Sequence, residues 1–361
     1  MVDYLKKIDW IMLATVFFIF GIGLASIYSF SISRGDFIYF EKQIIFFAFG
    51  IFFIFLIGFF DWRIFRQSPY FILAAYFICI LLLVGLFLLA PETRGIKGWY
   101  KFGFFSLDPV EPMKVILTIL LAKYFSMRHI EMYKLRHIFL SSFYLILPSV
   151  LIFFQPNFGS AMILAALWVG VLIISGIKLK HFLILCFAMI LILSLAWLFL
   201  LKDYQQARII SFFSPQVEPL GISWHQTQAK IAIGSGGLFG KGFTNGSQAM
   251  YGFLPEPHTD FIFSAIAEEL GFMGISVLLI LFLILLWRII RISLSAESNF
   301  PRLFASGMAI ILFFHIIINV GMNLSILPVI GISLPLVSYG GSNLIFFCIG
   351  LGILQSIRAH K

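Results

Sequence analysis

Long apolar runs follow one another along this chain, and most of them contain no charged residue. Trp10–Phe30 is the first, and Gln43–Phe60, Tyr70–Ala90, Ile138–Phe154, Gly159–Gly176, Phe182–Leu201, Leu303–Leu324 and Leu334–Ile357 repeat the pattern. Phe261–Trp287 is interrupted only by Glu268 and Glu269. A helix rises about 1.5 Å per residue, so about 20 apolar residues cross a hydrocarbon core. Lipid offers the backbone no hydrogen bonds, so each run must bond internally as a helix. No small-residue cleavage site precedes Arg34, and the first run is therefore read as a retained helix. Pro112–Phe125 is shorter and carries Lys114 and Lys123, so hydropathy alone does not assign it.

Charge assigns it. Counting Pro112–Phe125 as a span gives ten helices and sets alternate loops on two sides. One side then holds fifteen Lys and Arg against five acids, a net of +10, and the other ten cations against eleven acids, a net of −1. Cationic loops stay in the cytoplasm, which puts both termini inside and Tyr204–Asp260 outside. The expected fold is an all-α integral membrane protein, a polytopic bundle of about ten transmembrane helices in a membrane that borders the cytoplasm. It forms one transmembrane domain over residues 1–361, with a large outer loop, about 202–260, between helices 7 and 8.

A hydrophobic share of 61% with 11% charged residues excludes a soluble domain of 361 residues. The net charge of +9 is a topology signal, because its cations are scattered over short loops, and nucleic acid is not an expected partner. Cys79, Cys186 and Cys348 lie singly in apolar runs and indicate neither a disulfide framework nor a thiolate metal site.

The unusual chemistry gathers between Tyr204 and Gly271, which holds Arg208, His225, Lys230, Lys241, Glu256, His258, Asp260 and the pair Glu268-Glu269. Ionisable groups at a membrane boundary are costly and mark function. GSGGLFGKG (Gly234–Gly242) fails the P-loop pattern, since Ser235 replaces the first Gly and Gly242 the magnesium-binding Ser/Thr. Two readings remain for Gly234, Gly236 and Gly237, and they can both hold: a tight re-entrant backbone, and N–H groups nesting an anion such as pyrophosphate. SGIK (Ser175–Lys178) matches a penicillin-binding motif by letters only, without its companions.

In LPEPHTDF (Leu254–Phe261), Asp260 stands at the outer mouth of a long helix. It is either an N-cap, shared with Thr259, or a general base. The base reading accounts for the Arg, Lys and His upstream, which a cap does not require. No ligand spacing indicates a closed metal site, and no organic cofactor is expected. A divalent cation, Mg2+ or Mn2+, held between Asp260 and a phosphate would suit a single carboxylate. Glu268 lies nearer the face of Asp260, and one of the Glu268-Glu269 pair is expected to meet a cation on a neighbouring helix. DPVEPMK (Asp108–Lys114) sets Glu111 and Lys114 one turn apart, as an ion pair or with Lys114 as a phosphate clamp.

Three long strings then resemble one family. QPNFGSA (Gln155–Ala161), the whole of Tyr204–Gly271, and NVGMNLSILPVIGISLPLVSYGGSN (Asn319–Asn343) are similar to the SEDS (shape, elongation, division, sporulation) polymerases. LPVIGISLP favours the elongation branch over the division branch, where the segment reads more like LPTKGLTLP. The resemblance implies a peptidoglycan glycosyltransferase that polymerises lipid II on the outer face of the membrane. It places the family's catalytic aspartate on Asp260 and its fourth-helix Glu and Lys on Glu111 and Lys114. Two departures stand out: Asn157 where the family has Asp in Q-P-D-x-G, and GIKGW (Gly95–Trp99) where it tends to have Gly-Ala-x-Arg-Trp.

With Asp260 as base, Arg208, Lys230 and Lys114 are the candidates for the pyrophosphates, with His258 beside them and donors from Gly234, Gly236 and Gly237. Implied partners are lipid II, the growing glycan strand, a class B penicillin-binding protein as transpeptidase, and other membrane proteins of the elongation complex. The aromatic segments Phe102–Phe105 and Tyr251–Leu254 are candidate anchors for the transpeptidase. The rival reading is a flippase for the same lipid, with Glu268, Glu269, His315 and Asn319 on a polar path. It is disfavoured by the expectation that the inner halves of the helices hold almost no ionisable group.

Overall fold

The computed structural model describes residues 6–91, 98–103, 105–128, 135–199, 206, 210 and 222–360. The described helices are α1 (Trp10–Arg34), α2 (Ile38–Phe59), the short α3 (Arg63–Gln67), α4 (Pro69–Leu89), α5 (Val110–Arg128), α6 (Leu135–Phe154), α7 (Phe158–Ile174), α8 (Leu179–Phe199), α9 (Ile222–Gly236), the single-turn α10 (Ser247–Met250), α11 (Ile262–Leu294), α12 (Asn299–Asn323) and α13 (Gly341–Ala359). A hairpin of β1 (Tyr100–Phe102) and β2 (Phe105–Leu107) precedes α5. Among the described residues, seven helices are long and apolar enough to cross a membrane: α1, α2, α4, α6, α11, α12 and α13. The apolar α7 and α8, with α5, bring the long helices among the described residues to the ten expected of this multi-pass chain.

Local chemistry sets the helix ends. Asp9 caps α1 by accepting the Met12 N–H at 3.1 Å, and Gly35, at φ 67°, closes its C-terminus. Pro69 opens α4 from a first-turn position where its missing N–H costs nothing. Asn157 caps α7 through Ser160 N–H at 3.2 Å. Asn performs this task as well as Asp, so the departure at this position leaves the local structure intact.

The doubtful fourth span is enclosed by the bundle. Val110, Met113, Leu117, Leu121, Ala122 and Phe125 of α5 are fully buried, and α12, α4 and α13 pack around it. A helix shielded from lipid on most sides needs no high hydropathy, which is why hydropathy missed it. At the rim, α8 turns Leu179, Leu183, Ile184, Phe187 and Ile190 outward.

Two boundaries differ from expectation. The last span begins at Gly341 and not at Leu334, because the apolar stretch before it runs through Pro335 and the left-handed Leu336 (φ 67°). Its backbone is satisfied by side chains: Gln43 Nε2 donates to the Ser338 carbonyl at 3.1 Å, and Ser338 Oγ accepts the Leu334 N–H at 2.8 Å. In α11 the chain breaks at Gly271 (φ 66°, ψ −165°), a conformation closed to residues with a side chain.

Candidate active site at the mouth of α11

Asp260 lies two residues before α11, on a loop gripped by three consecutive carbonyls. The His258 carbonyl accepts Tyr339 N–H at 2.8 Å, and the Thr259 carbonyl accepts Ser338 Oγ–H at 2.7 Å. The Asp260 carbonyl accepts Nδ2 donors from Asn319 at 3.1 Å and Asn323 at 3.0 Å. The N-cap position of α11 is Phe261, without a side-chain cap bond, and Ser264 N–H is bonded by Asn323 Oδ1 at 3.2 Å. The capping work expected of Thr259 or Asp260 is thus done from α12. A side chain at Gly331 (φ 69°) would begin 3.5 Å from Asp260 Oδ2, so the segment before α13 flanks the half-buried carboxylate.

One turn along α12 from Asn319, a buried cluster extends the polar column. Lys114 Nζ donates to Glu111 Oε1 at 2.8 Å and lies 3.0 Å from His315 Nε2. His315 Nδ1 lies 2.8 Å from the Ile311 carbonyl, which assigns it the ring proton and leaves Nε2 to accept from Lys114. Asn343 Nδ2 donates to Glu111 Oε2 at 3.1 Å, tying in α13. Just outside α5, burial and the neighbouring Glu111 push the Asp108 carboxyl up to about 7, while its Oδ1 accepts Val110 N–H at 2.9 Å.

Residues 6–361 match the family FTSW_RODA_SPOVE, described as cell cycle protein. The chain belongs to this family. FTSW_RODA_SPOVE relatives include the peptidoglycan glycosyltransferase MrdB of Escherichia coli (strain K12), 38% identical over 286 residues, which cover 79% of this chain and 77% of that protein. Stage V sporulation protein E of Bacillus subtilis (strain 168) is 31% identical over 98% of this chain and 97% of its own length. Among solved structures, one of a peptidoglycan synthase complex, concerned with structural coordination of polymerization and crosslinking, has a chain that superposes with a TM-score of 0.82 at 28% identity, covering 97% of both chains. The rod shape determining protein RodA of Thermus thermophilus superposes with a TM-score of 0.71 at 27% identity, over 97% of this chain and 96% of that one.

Within this SEDS scaffold the sequence-derived candidates separate. Asp260, Glu111 and Lys114 belong to one column, joined through His315 and Asn319 of α12. Arg208 lies outside the described residues, and Lys230 is exposed on α9. His258 is buried against the rings of Phe30, Tyr39 and Tyr339, with Nε2 3.8 Å from Glu256 Oε2, so it holds the loop in place. The anion nest is corrected. Gly234 and Gly236 end α9 and Gly237 follows it, where a helix presents carbonyls and a negative partial charge. A Cβ on Gly236 would meet the Ala267 carbonyl at 2.0 Å, and Gly237 O accepts Phe272 N–H, so this segment is the tight re-entrant backbone.

Glu268 is fully buried and accepts from Lys241 Nζ at 2.6 Å, Ser247 Oγ at 3.1 Å and Gln248 N–H at 3.0 Å, anchoring α10. Glu269 accepts from Ser29 Oγ of α1. The expectation of an inner half without ionisable groups is also corrected. Asp9, 1% exposed, bonds Arg288 Nη2 at 2.6 Å and pairs with Arg358 at the opposite end of α11 from Asp260. These arginines are drawn to a carboxylate at one end of the bundle and line no path through it.

Sequence reasoning missed Asn323, Ser338 and Asn343, and read His315 and Asn319 only as a transport path. The signal was present: His315, Asn319 and Asn323 recur at intervals of four on one face of the otherwise apolar stretch Met308–Asn323.

Proposed function

We propose that this chain is a peptidoglycan glycosyltransferase of the elongation branch, polymerising lipid II into glycan strands and releasing undecaprenyl pyrophosphate. Asp260, fixed at a helix mouth by bonds to its own and the two preceding carbonyls, carries the reading. The acceptor sugar's 4-hydroxyl oxygen forms a bond to the donor's anomeric carbon. The bond from that carbon to the pyrophosphate oxygen breaks, and its electron pair leaves with the lipid pyrophosphate. Asp260 takes the hydroxyl proton as general base. Pyrophosphate leaves once its charge is neutralised, so no second carboxyl is needed as acid, unlike the pair used on ordinary glycosides.

Arg208 and Lys230 are assigned to the pyrophosphates from the outer loop, and Lys114, Glu111 and His315 set the charge beneath Asp260. Among the described residues no group of three His, Cys, Asp or Glu side chains could cage a metal. Asp260 is the residue that would hold a divalent cation, which would supply charge neutralisation for the leaving pyrophosphate. The loop asymmetry supports placing Asp260 outside the cytoplasmic membrane and both termini inside. A membrane-impermeant thiol reagent should label Tyr251→Cys in intact cells and spare Glu297→Cys.

A class B penicillin-binding protein is the proposed cross-linking partner. Phe102 and Phe105, 55% and 46% exposed with stacked rings 5.2 Å apart, offer it an apolar hairpin, as do exposed Tyr251 and Phe253; Leu254 is buried. The deciding experiment incubates purified chain with lipid II, with and without the transpeptidase, and resolves glycan strands on a gel. Asp260→Asn should be folded and make no strands, while near wild-type synthesis by it would remove Asp260 from the reaction.

A further inference from the structure

At the end of α11 opposite Asp260, a cavity of about 920 Å³ opens among the ends of α1, α3, α11, α12 and α13. Its volume lies in the range of ligand sites. Its lining is strongly cationic. Arg288 and Arg358 are committed to buried Asp9, and Arg63 to Asp61 at 3.2 Å. Lys6, Lys7 and Arg291 also line it and make no ion pair among the described residues; Arg291 only lies over the Trp287 ring, 5.5 Å from its centroid. Glu297 is the one lining carboxylate besides Asp9.

A second observation points to a ligand. Trp62 lines the same cavity at 6% exposure, stacked on Phe300 at 5.7 Å, and its buried indole Nε1–H has no acceptor among the described residues. A buried donor without a partner forfeits its hydration and gains nothing in exchange, so an acceptor entering the cavity is favoured. The lining also tells where that acceptor comes from. Ile11 forms part of the wall and is 54% exposed, at the head of a stripe that continues through Ala14 and the 66% exposed Phe18 on the apolar outer face of α1. The cavity is therefore continuous with the surface that faces acyl chains.

We propose that this cavity binds the phosphate headgroup of an anionic phospholipid, with Lys6, Lys7 and Arg291 meeting the charge and Trp62 Nε1–H donating to a phosphate oxygen. Basic pockets between membrane helices recognise headgroups in this way, at roughly a factor of five in affinity per cation. The acyl chains leave along Ile11 and Phe18.

The test uses the full chain in neutral detergent, with phosphatidylglycerol, phosphatidylcholine or inorganic pyrophosphate added. Thermal unfolding and the lipid retained in native mass spectra are read. Phosphatidylglycerol should raise the midpoint and be retained, and phosphatidylcholine should do neither. The variant Lys6→Gln/Lys7→Gln/Arg291→Gln touches no ion pair and should unfold normally without lipid, yet lose at least about tenfold in apparent lipid affinity. Trp62→Phe keeps the stack on Phe300 and should weaken retention alone, whereas Lys178→Gln/Lys180→Gln, outside the cavity, should change nothing. Equal response to both lipids, or a triple variant that binds like the wild type, overturns the proposal. Pyrophosphate that raises the midpoint and displaces the lipid would assign the site to a soluble anion and overturn the lipid source.

Discussion

Asn323 holds Asp260 by its backbone and at the same time caps the helix that Asp260 precedes. Its Nδ2 donates to the Asp260 carbonyl at 3.0 Å, and its Oδ1 accepts from Ser264 N–H at 3.2 Å and Ser264 Oγ–H at 2.5 Å. One amide therefore fixes both the carboxylate-bearing residue and the first turn behind it. Asn323→Asp keeps the shape and the acceptor but turns the donor into an oxygen facing a carbonyl. We expect about 1–3 kcal/mol of lost stability and a turnover at least tenfold lower, with substrate binding less affected. Thermal unfolding and single-turnover strand synthesis check this; unchanged turnover would show that the grip is redundant with Asn319.

Lys114 and Glu111 form a buried pair, with side chains 5% and 12% exposed. Removing one partner leaves the other charged and out of water, at a cost of about 3–5 kcal/mol. Lys114→Gln should therefore accumulate poorly, while Glu111→Gln/Lys114→Gln should recover much of the stability. The double variant is expected to stay inactive, because the positive charge beneath Asp260 is still missing. Recovered polymerisation in the double variant would make the pair purely structural.

Gly236 and Gly234 should respond oppositely to alanine. A Cβ at Gly236 would sit 2.0 Å from a backbone carbonyl of α11, and one at Gly234 meets nothing within 4 Å. Gly236→Ala is expected to cost about 3 kcal/mol or to block folding. Gly234→Ala should be neutral or gain about 0.5–1 kcal/mol. A folded but inactive Gly234→Ala protein would restore a substrate contact to that backbone.

Stability should fall as pH rises from about 4 towards 7 on account of Asp108. Its carboxyl is raised to about 7 by burial and by Glu111, so the folded chain keeps a proton that the unfolded chain releases near the ordinary carboxylate value. The folded state binds more protons across that window, and raising the pH works against it. Asp108→Asn should flatten the dependence and raise the unfolding midpoint at pH 8 relative to the wild type. A parallel displacement of both curves would place the titration elsewhere.

The spans were legible because lipid leaves an apolar run one way to bond its backbone, and loop charge supplied α5 where hydropathy failed. The stretch 334–340 was not legible, since Leu334, Leu336 and Val337 look like helix and the partners that replace helical bonds, Gln43 among them, are distant in sequence. For the site, carboxylates and lysines advertised themselves by their rarity. The amides of Asn319 and Asn323 did not, because a neutral side chain in an apolar helix has a local meaning only once its long-range partner is known. The glycines misled for a different reason: a run of Gly shows that the backbone is close to something without saying whether that is an anion or another helix.

The cluster around Asp9 has a bearing on how the chain is made. Asp9 enters the membrane with the first helix, but the arginines that neutralise it arrive with α11 and with the final turn of α13, and Gln355, which bonds the Asp9 backbone in both directions, follows 346 residues later. During synthesis the first helix therefore carries an uncompensated carboxylate until translation is nearly over. A chain that stalls or is clipped before Arg358 retains that charge without its full set of partners, a defect lodged in the first helix by an error in the last.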